Sequence, residues 1–351
     1  MVTESNKSVR AIILLLPIFG LLAAAITIEI VFRLFSTTKI AARWSDRPKY
    51  YYRSHKSTSL QGNVYDAVKP KDTFRVAVVG DSISFGPHMQ FDDTFPAKLG
   101  RMLNLDASTK KAEVINYGVP GYSTFRELNT VKAAINEGAD LVILQITLND
   151  PEIEPLNLKH EESAKRFGKF TPTPFEGALF KYWSSLGYLV ERVHNMRSRE
   201  AYRDYFFDLF KNPRTYGQFE DSIKKISAMT AANNIKLVAV VFPLFGFQLD
   251  ESYPFEPIHK QIADLLGSIN VPALDLYPTF KGIPLERLHV IPWQDLHGNE
   301  IAHRLAAESI FQWLYNIHEI PKEFEVPLLY VQRNGLQDAH FKEFLNPPTD
   351  R

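Results

Sequence analysis

Four short clusters carry residue types that could do chemistry. Gly80-Asp81-Ser82-Ile83-Ser84-Phe85-Gly86 offers hydroxyls beside an acid, and Asn116 to Thr124 (NYGVPGYST) is a glycine-bearing turn. Thr147-Leu148-Asn149-Asp150 offers a side-chain amide, and Gln294-Asp295-Leu296-His297-Gly298-Asn299 an acid two residues before an imidazole. Serine, imidazole, carboxylate and amide N–H are the groups that nucleophilic acyl chemistry combines. Each cluster alone has an ordinary structural explanation. A Gly-Asp-Ser is usually a turn, Gly118 and Gly121 supply loop freedom, Asn149-Asp150 before Pro151 is a strand exit, and Asn299 is a helix N-cap. Their order along one alternating pattern is harder to obtain by accident.

The elements that must position them follow from hydropathy. FRVAVVG (Phe74–Gly80), VINY (Val114–Tyr117), LVILQI (Leu141–Ile146), LVAVVF (Leu237–Phe242) and PALDL (Pro272–Leu276) are short, nearly continuous apolar runs. Such runs predict strands buried on both faces, as in a parallel sheet. Helical periodicity lies between them at Phe95–Leu105, Phe125–Asn136, Phe219–Asn233 and Pro257–Leu266, with a last helix from about Asn299. The β-α-β alternation predicts one doubly wound α/β domain with right-handed crossovers. In such a sheet ligands bind at the C-terminal strand ends. The first three clusters fall there, and the fourth follows the fifth strand.

The 351 residues are 45% hydrophobic and 23% charged, with 40 basic against 40 acidic side chains. Zero net charge argues against a nucleic-acid partner, which needs a positive excess. The absence of cysteine excludes disulfides, thiolate-bound metals and a cysteine nucleophile. A mean hydropathy of −0.17 excludes a polytopic membrane protein. One run does suit a bilayer: Ala11 through Phe35 carries no charge before Glu29 and suffices for a transmembrane helix. A cleaved signal peptide is the alternative, but the run is long for one, and Ala23-Ala24-Ala25 lies inside it. Arg43, Arg47, Lys49, Arg53 and Lys56 follow; counted literally, they would place the C-terminal part in the cytoplasm, although long domains translocate regardless of flanking charge.

The expected organisation is a tail at 1–10, a transmembrane signal anchor at 11–35, a basic juxtamembrane linker at 36–72, an α/β domain at 73–318 and a tail at 319–351. The aromatic-rich interval 151–215 breaks the rhythm of the domain and is expected to be an inserted helical cap.

In order and in wording (FRVAVVGDSISFG, VINYGVPGYST), the four clusters resemble the sequence blocks of the SGNH (GDSL-type) hydrolase family. The resemblance covers roughly Phe74 to Ile317. It implies a three-layer flavodoxin-like sandwich around a central parallel sheet, acting on ester and other acyl bonds with no metal and no organic cofactor. It also implies Ser82 as nucleophile, His297 as base and Asp295 as the acid that orients it. The oxyanion hole would comprise the backbone N–H groups of Ser82 and Gly121 and the amide of Asn149. Asp81 would shape the turn. Two positions depart from the family pattern: Thr147 stands where a glycine is usual, and Asp295 precedes His297 by two residues where many members place the acid three before, at Gln294 here. The anchor and basic linker resemble membrane-attached bacterial members, implying an inner-membrane protein with its domain outside the cytoplasm.

Other classes fit less well. No G-x-S-x-G, G-x-G-x-x-G or P-loop string occurs. Metal-dependent phosphoester hydrolysis through Asp295, His297, Asn149 and Asp81 would leave Ser82 without a role. Within acyl chemistry, hydrolysis of O-acyl glycans, lipids or small esters and acyl transfer to a glycan both stay open. A non-catalytic, membrane-tethered glycan-binding or assembly subunit is the alternative from a different class.

Overall fold

The computed structural model describes residues 2–35, 65–66, 68–105, 110–153, 173–291 and 295–324. Most of the basic linker, Gln294 and the tail from 325 lie outside them. Helix α1 (Val2–Phe35) runs through the expected anchor and starts well before it. Strand β1 (Thr73–Val79) is followed by the single-turn α2 (Ser82–Phe85) and α3 (Phe95–Leu103). Then come β2 (Lys111–Asn116), α4 (Thr124–Asn136) and β3 (Leu141–Ile146). The interval 151–215 contains, in its described part, α5 (Pro174–Tyr182), the whole of α6 (Ser184–Lys211) and the start of α7 (Pro213–Ala232). The chain continues with β4 (Lys236–Val241), α8 (Glu256–Ser268), β5 (Ala273–Asp275) and the short α9 (Tyr277–Phe280). It closes with β6 (His289–Ile291), β7 (Asp295–Gly298) and α10 (Glu300–Asn316).

Two compact units result, one of Met1–Ile40 with Leu156–Asp204, the other of Ala41–Pro155 with Tyr205–Arg351. The second is the α/β unit. Its five strands are parallel in the order β2-β1-β3-β4-β5, the flavodoxin-like order whose switch point lies between β1 and β3. The chain first steps outward to β2 and then back across to β3, so right-handed crossovers put α3 and α4 on opposite faces. α3 packs with α10, and α4 with α7. The expected three-layer sandwich is thus the fold observed. Val76–Val79, Leu141–Leu144 and Val238–Val241 are buried on both faces, which explains why these strands read as unbroken apolar runs.

The β6–β7 hairpin was not expected. It is antiparallel, separate from the main sheet and irregular in register between His289 and Ile291. It supplies the strand that carries His297.

In the N-terminal half of β1 lies a buried cation. Arg75 is fully buried; its guanidinium donates to Glu113 at 2.8 Å and to the Asp66 carbonyl at 2.7 Å, and also to the Glu137 carbonyl. Its N–H donates to Asp140 at 2.8 Å. Breaking a buried, hydrogen-bonded pair on one side strands the other partner. Arg75→Ala is therefore expected to cost about 3–5 kcal/mol of unfolding free energy in urea titrations. A loss under about 1 kcal/mol, the surface-pair value, would contradict this account.

Candidate active site

The site is built from the strand ends outward. β1 stops at Val79, and Gly80 leads into α2, a four-residue helix that starts at Ser82. Asp81 caps that helix, its Oδ1 accepting the Ile83 N–H at 2.8 Å. Beneath the turn lies Gln145 of β3, completely buried. Its Oε1 accepts from the Asp81 N–H at 3.1 Å, the Ser84 N–H at 3.1 Å and the Ser84 hydroxyl at 2.9 Å. A Cβ on Gly80 would lie 2.2 Å from that oxygen, so a residue with any side chain is excluded there.

The loop after β2 closes on the same turn. Asn116 donates through Nδ2 to the Ser84 carbonyl at 2.6 Å and accepts the Gly118 N–H at 2.9 Å. A Cβ on Gly118 would meet the Phe85 nitrogen at 2.4 Å; the two loops touch backbone to backbone. Gly121, at φ +76°, takes the left-handed conformation that glycine adopts at no steric cost.

The third loop is joined through Thr147. Its hydroxyl donates to Asp81 Oδ2 at 2.8 Å and accepts from the Gln145 amide at 3.3 Å. The side chain thus ties the β3 loop to the Asp81 turn. Asn149 follows, half-buried.

His297 arrives from β7. Its Nε2 lies 3.1 Å from Ser82 Oγ, within the range for a nucleophile and its base. Asn299 fixes the end of the hairpin. Its Nδ2 donates to the carbonyls of Arg287 at 2.8 Å and His289 at 3.1 Å, while its Oδ1 caps α10 through Ile301 and Ala302. His303, one turn into α10, accepts the Phe95 N–H at 2.9 Å. Burial, with smaller effects from Lys98 and His297, lowers its pKa to about 3, so it stays neutral. The structure therefore brings Ser82 and His297 together. The Ser82 N–H, the Gly121 N–H and the Asn149 amide have no hydrogen-bond partner among the described residues. Asp295 is the first residue of β7; its side chain lies outside what is described. Among the described residues no group of three or more His, Cys, Asp or Glu could hold a metal ion.

Gln145 is the residue that sequence reasoning missed. Its signal was present: it is the one polar side chain within LVILQI, and a polar group on a doubly buried strand must find partners.

No protein-family model and no curated protein matches the chain. Solved structures with some likeness include a two-domain esterase (CEX) active on acetylated mannans, 13% identical with a TM-score of 0.41. That match covers 71% of this chain but only 50% of the esterase, so this chain spans half of it. TesA is 13% identical, over 68% of this chain and 97% of its own, with a TM-score of 0.40. Axe2, an acetylxylan esterase from Geobacillus stearothermophilus, is 15% identical over 68% of this chain and 93% of its own, with a TM-score of 0.40. These likenesses are distant, and the functional reading is carried by the geometry of the site.

Below the site lies a cluster of acids. Asp150 Oδ2 accepts the Thr147 N–H, while its Oδ1 and both oxygens of Glu127 have no partner among the described residues. Glu127 is fully buried on α4. Burial raises the pKa of Glu127 and of Asp150 well above the carboxylate range; Asp150 and Asp81 add to the rise at Glu127, and Asp81 to that at Asp150. An acid with a raised pKa stays protonated in the folded chain where the unfolded chain has lost the proton. Folding then takes up protons, and stability falls as pH rises above about 4.3, the ordinary glutamate value. Glu127→Gln is expected to unfold at the same temperature as the parent near pH 4 and at a progressively higher one toward pH 9, a gain of about 1–3 kcal/mol. A difference that stayed constant across the range in thermal melts would mean that Glu127 is ionised in the folded protein.

Proposed function

We propose that this chain is a serine esterase or acyl hydrolase that works through an acyl-serine intermediate. The observation that carries this reading is the 3.1 Å separation of His297 Nε2 and Ser82 Oγ at the C-terminal edge of a parallel sheet. A serine hydroxyl is a weak nucleophile until a base takes its proton, and neutral imidazole does so near physiological pH. Ser82 Oγ attacks the ester carbonyl carbon as its proton passes to His297. The tetrahedral oxyanion is held by the N–H groups of Ser82 and Gly121 and the amide of Asn149, donors that need no rearrangement to meet developing charge. Collapse breaks the carbon–oxygen bond, and His297 returns the proton to the departing alcohol. Water, activated by the same imidazole, then releases the acid.

Asp295 is proposed as the group that orients His297. Same-face positions of a strand are two residues apart, and both residues lie on β7. The two-residue spacing is what a strand requires of an acid meant to share a face with its histidine. The substrate class is a carboxylic ester, with acyl glycans, lipids and small esters as the candidates. Helix α1 is proposed as a retained anchor in a bacterial inner membrane, with the α/β unit outside the cytoplasm. What supports the anchor is its 19-residue stretch Leu16–Leu34, apolar and almost wholly exposed.

A fluorophosphonate probe is expected to label the full-length protein but neither Ser82→Ala nor His297→Ala, and both variants should lose turnover of chromogenic esters while keeping the fold. Normal turnover in either would end the mechanism. Labelling without ester release in the parent would identify a transferase deprived of its acceptor. Asn149→Ala is expected to lower kcat by about 10²–10³-fold with labelling still detectable, the usual cost of one oxyanion donor. An unchanged kcat would remove Asn149 from the hole.

A further inference from the structure

The first compact unit joins α1 to the helices of the inserted segment, and the joint is built around the charge of Glu29. Glu29 is the one acid in Leu16–Leu34. Its Oε1 accepts from Arg33 Nε at 2.6 Å and from the Ser184 N–H at 2.8 Å; its Oε2 accepts from the Ser185 N–H at 2.8 Å. Ser184 and Ser185 open α6, whose first N–H groups have no partner within the helix. Arg33 also reaches the Lys181 carbonyl at 3.4 Å, and the rings of Phe32 and Tyr188 are 5.4 Å apart. A carboxylate in an apolar span is tolerable only where it is paired and hydrogen-bonded. Here the start of α6 provides those bonds, so α6 begins level with the last two turns of the span.

From that starting point the outward face of α6 is apolar. Leu186, Leu189, Val193 and Met196 follow one another at spacings of three, four and three residues, hence along one stripe, and are 36–57% exposed. Tyr182 and Tyr188 are exposed beside the joint, aromatics of the kind that settle at headgroup level. Exposed Arg192 and Arg197 interleave with the stripe, as in helices that lie along anionic membrane surfaces.

We infer that α5 and the first half of α6 form a second membrane contact, an interfacial helical element that lies in the headgroup and upper acyl region beside the α1 span and is fastened to it by Glu29. Its partner is the lipid bilayer, and the contact continues the apolar surface of α1. This gives the inserted segment a lipid-facing role in place of the capping one expected from sequence. The inference rests on the reading of α1 as a membrane span.

The chain contains no cysteine, so single cysteines report without background. Full-length Leu21→Cys, Leu189→Cys, Met196→Cys and Lys260→Cys, each labelled with an environment-sensitive fluorophore, would be reconstituted in vesicles of phosphatidylcholine and phosphatidylglycerol. Quenching by shallow and by deep spin-labelled lipids would then be compared. Leu21, in the span, is expected to be quenched by deep labels, and Lys260, on the exposed face of α8, by neither. Leu189 and Met196 are expected to emit to the blue of Lys260 and to be quenched by shallow labels. Should they behave like Lys260 while Leu21 is quenched, the inference falls and the span stands. Should Leu21 also escape quenching, the span reading falls and takes the inference with it. Blue emission at Leu189 and Met196 without lipid quenching, in a protein that runs as a dimer in detergent, would assign the stripe to a second copy and overturn the lipid contact.

Discussion

One buried side-chain amide sets the geometry on which the rest of the site depends. Gln145 stands at full burial on the central strand β3, where an unpaired amide would cost a few kcal/mol. Its oxygen is satisfied by three donors of the Asp81–Ser84 turn and its nitrogen by Thr147. The sheet thereby fixes the turn without any backbone ladder reaching it. Both constraints on Gly80 follow: the chain must pass close enough for those bonds, and a side chain there would strike the amide oxygen. Since α2 is one turn long and cannot stabilise itself, its orientation is inherited from Gln145, Asn116 and Asp81 rather than from its own hydrogen bonds.

The same network explains the threonine in the third loop. A glycine at 147 would leave Asp81 Oδ2 without its 2.8 Å donor and the Gln145 amide without an acceptor. Thr147 answers both with one hydroxyl. Thr147 is thus a bridging group between two strand-end loops, and its effect is to hold Asn149 and the Ser82 turn to a common support.

Much of this was legible in the sequence, and the failures have physical reasons. The five parallel strands announced themselves because burial on both faces leaves no polar alternation, and Leu141–Ile146 was bounded to the residue. Helix α7 begins at Pro213 rather than Phe219 because Pro213 at N1, behind the Asn212 cap, is a start signal that apolar periodicity overlooks. The β6–β7 hairpin was invisible for the opposite reason: strands of three and four residues are too short for any period to show. Ser82 and His297 stood in clusters picked out by residue type and place in the alternating pattern, and their roles came from the family resemblance. The 3.1 Å contact between them required the hairpin, which no local pattern encodes. Gln145 was hidden in plain sight, counted as part of an apolar run.

The acids beneath the site pose an electrostatic question that the network itself answers. Asp81, Asp150 and Glu127 lie close enough for each to oppose the ionisation of its neighbours. Were all three charged, they would set a negative field under the very donors proposed to receive an oxyanion, and in a low-dielectric interior such a field acts at nearly full strength. The three acids differ in how many donors they meet. Asp81 has two donors, the Ile83 N–H and the Thr147 hydroxyl; Asp150 has the Thr147 N–H, with the Thr124 hydroxyl also opposing the rise in its pKa; Glu127 has none among the described residues. Burial favours the protonated forms of Glu127 and Asp150, so these two acids add little to the field beneath the proposed oxyanion hole.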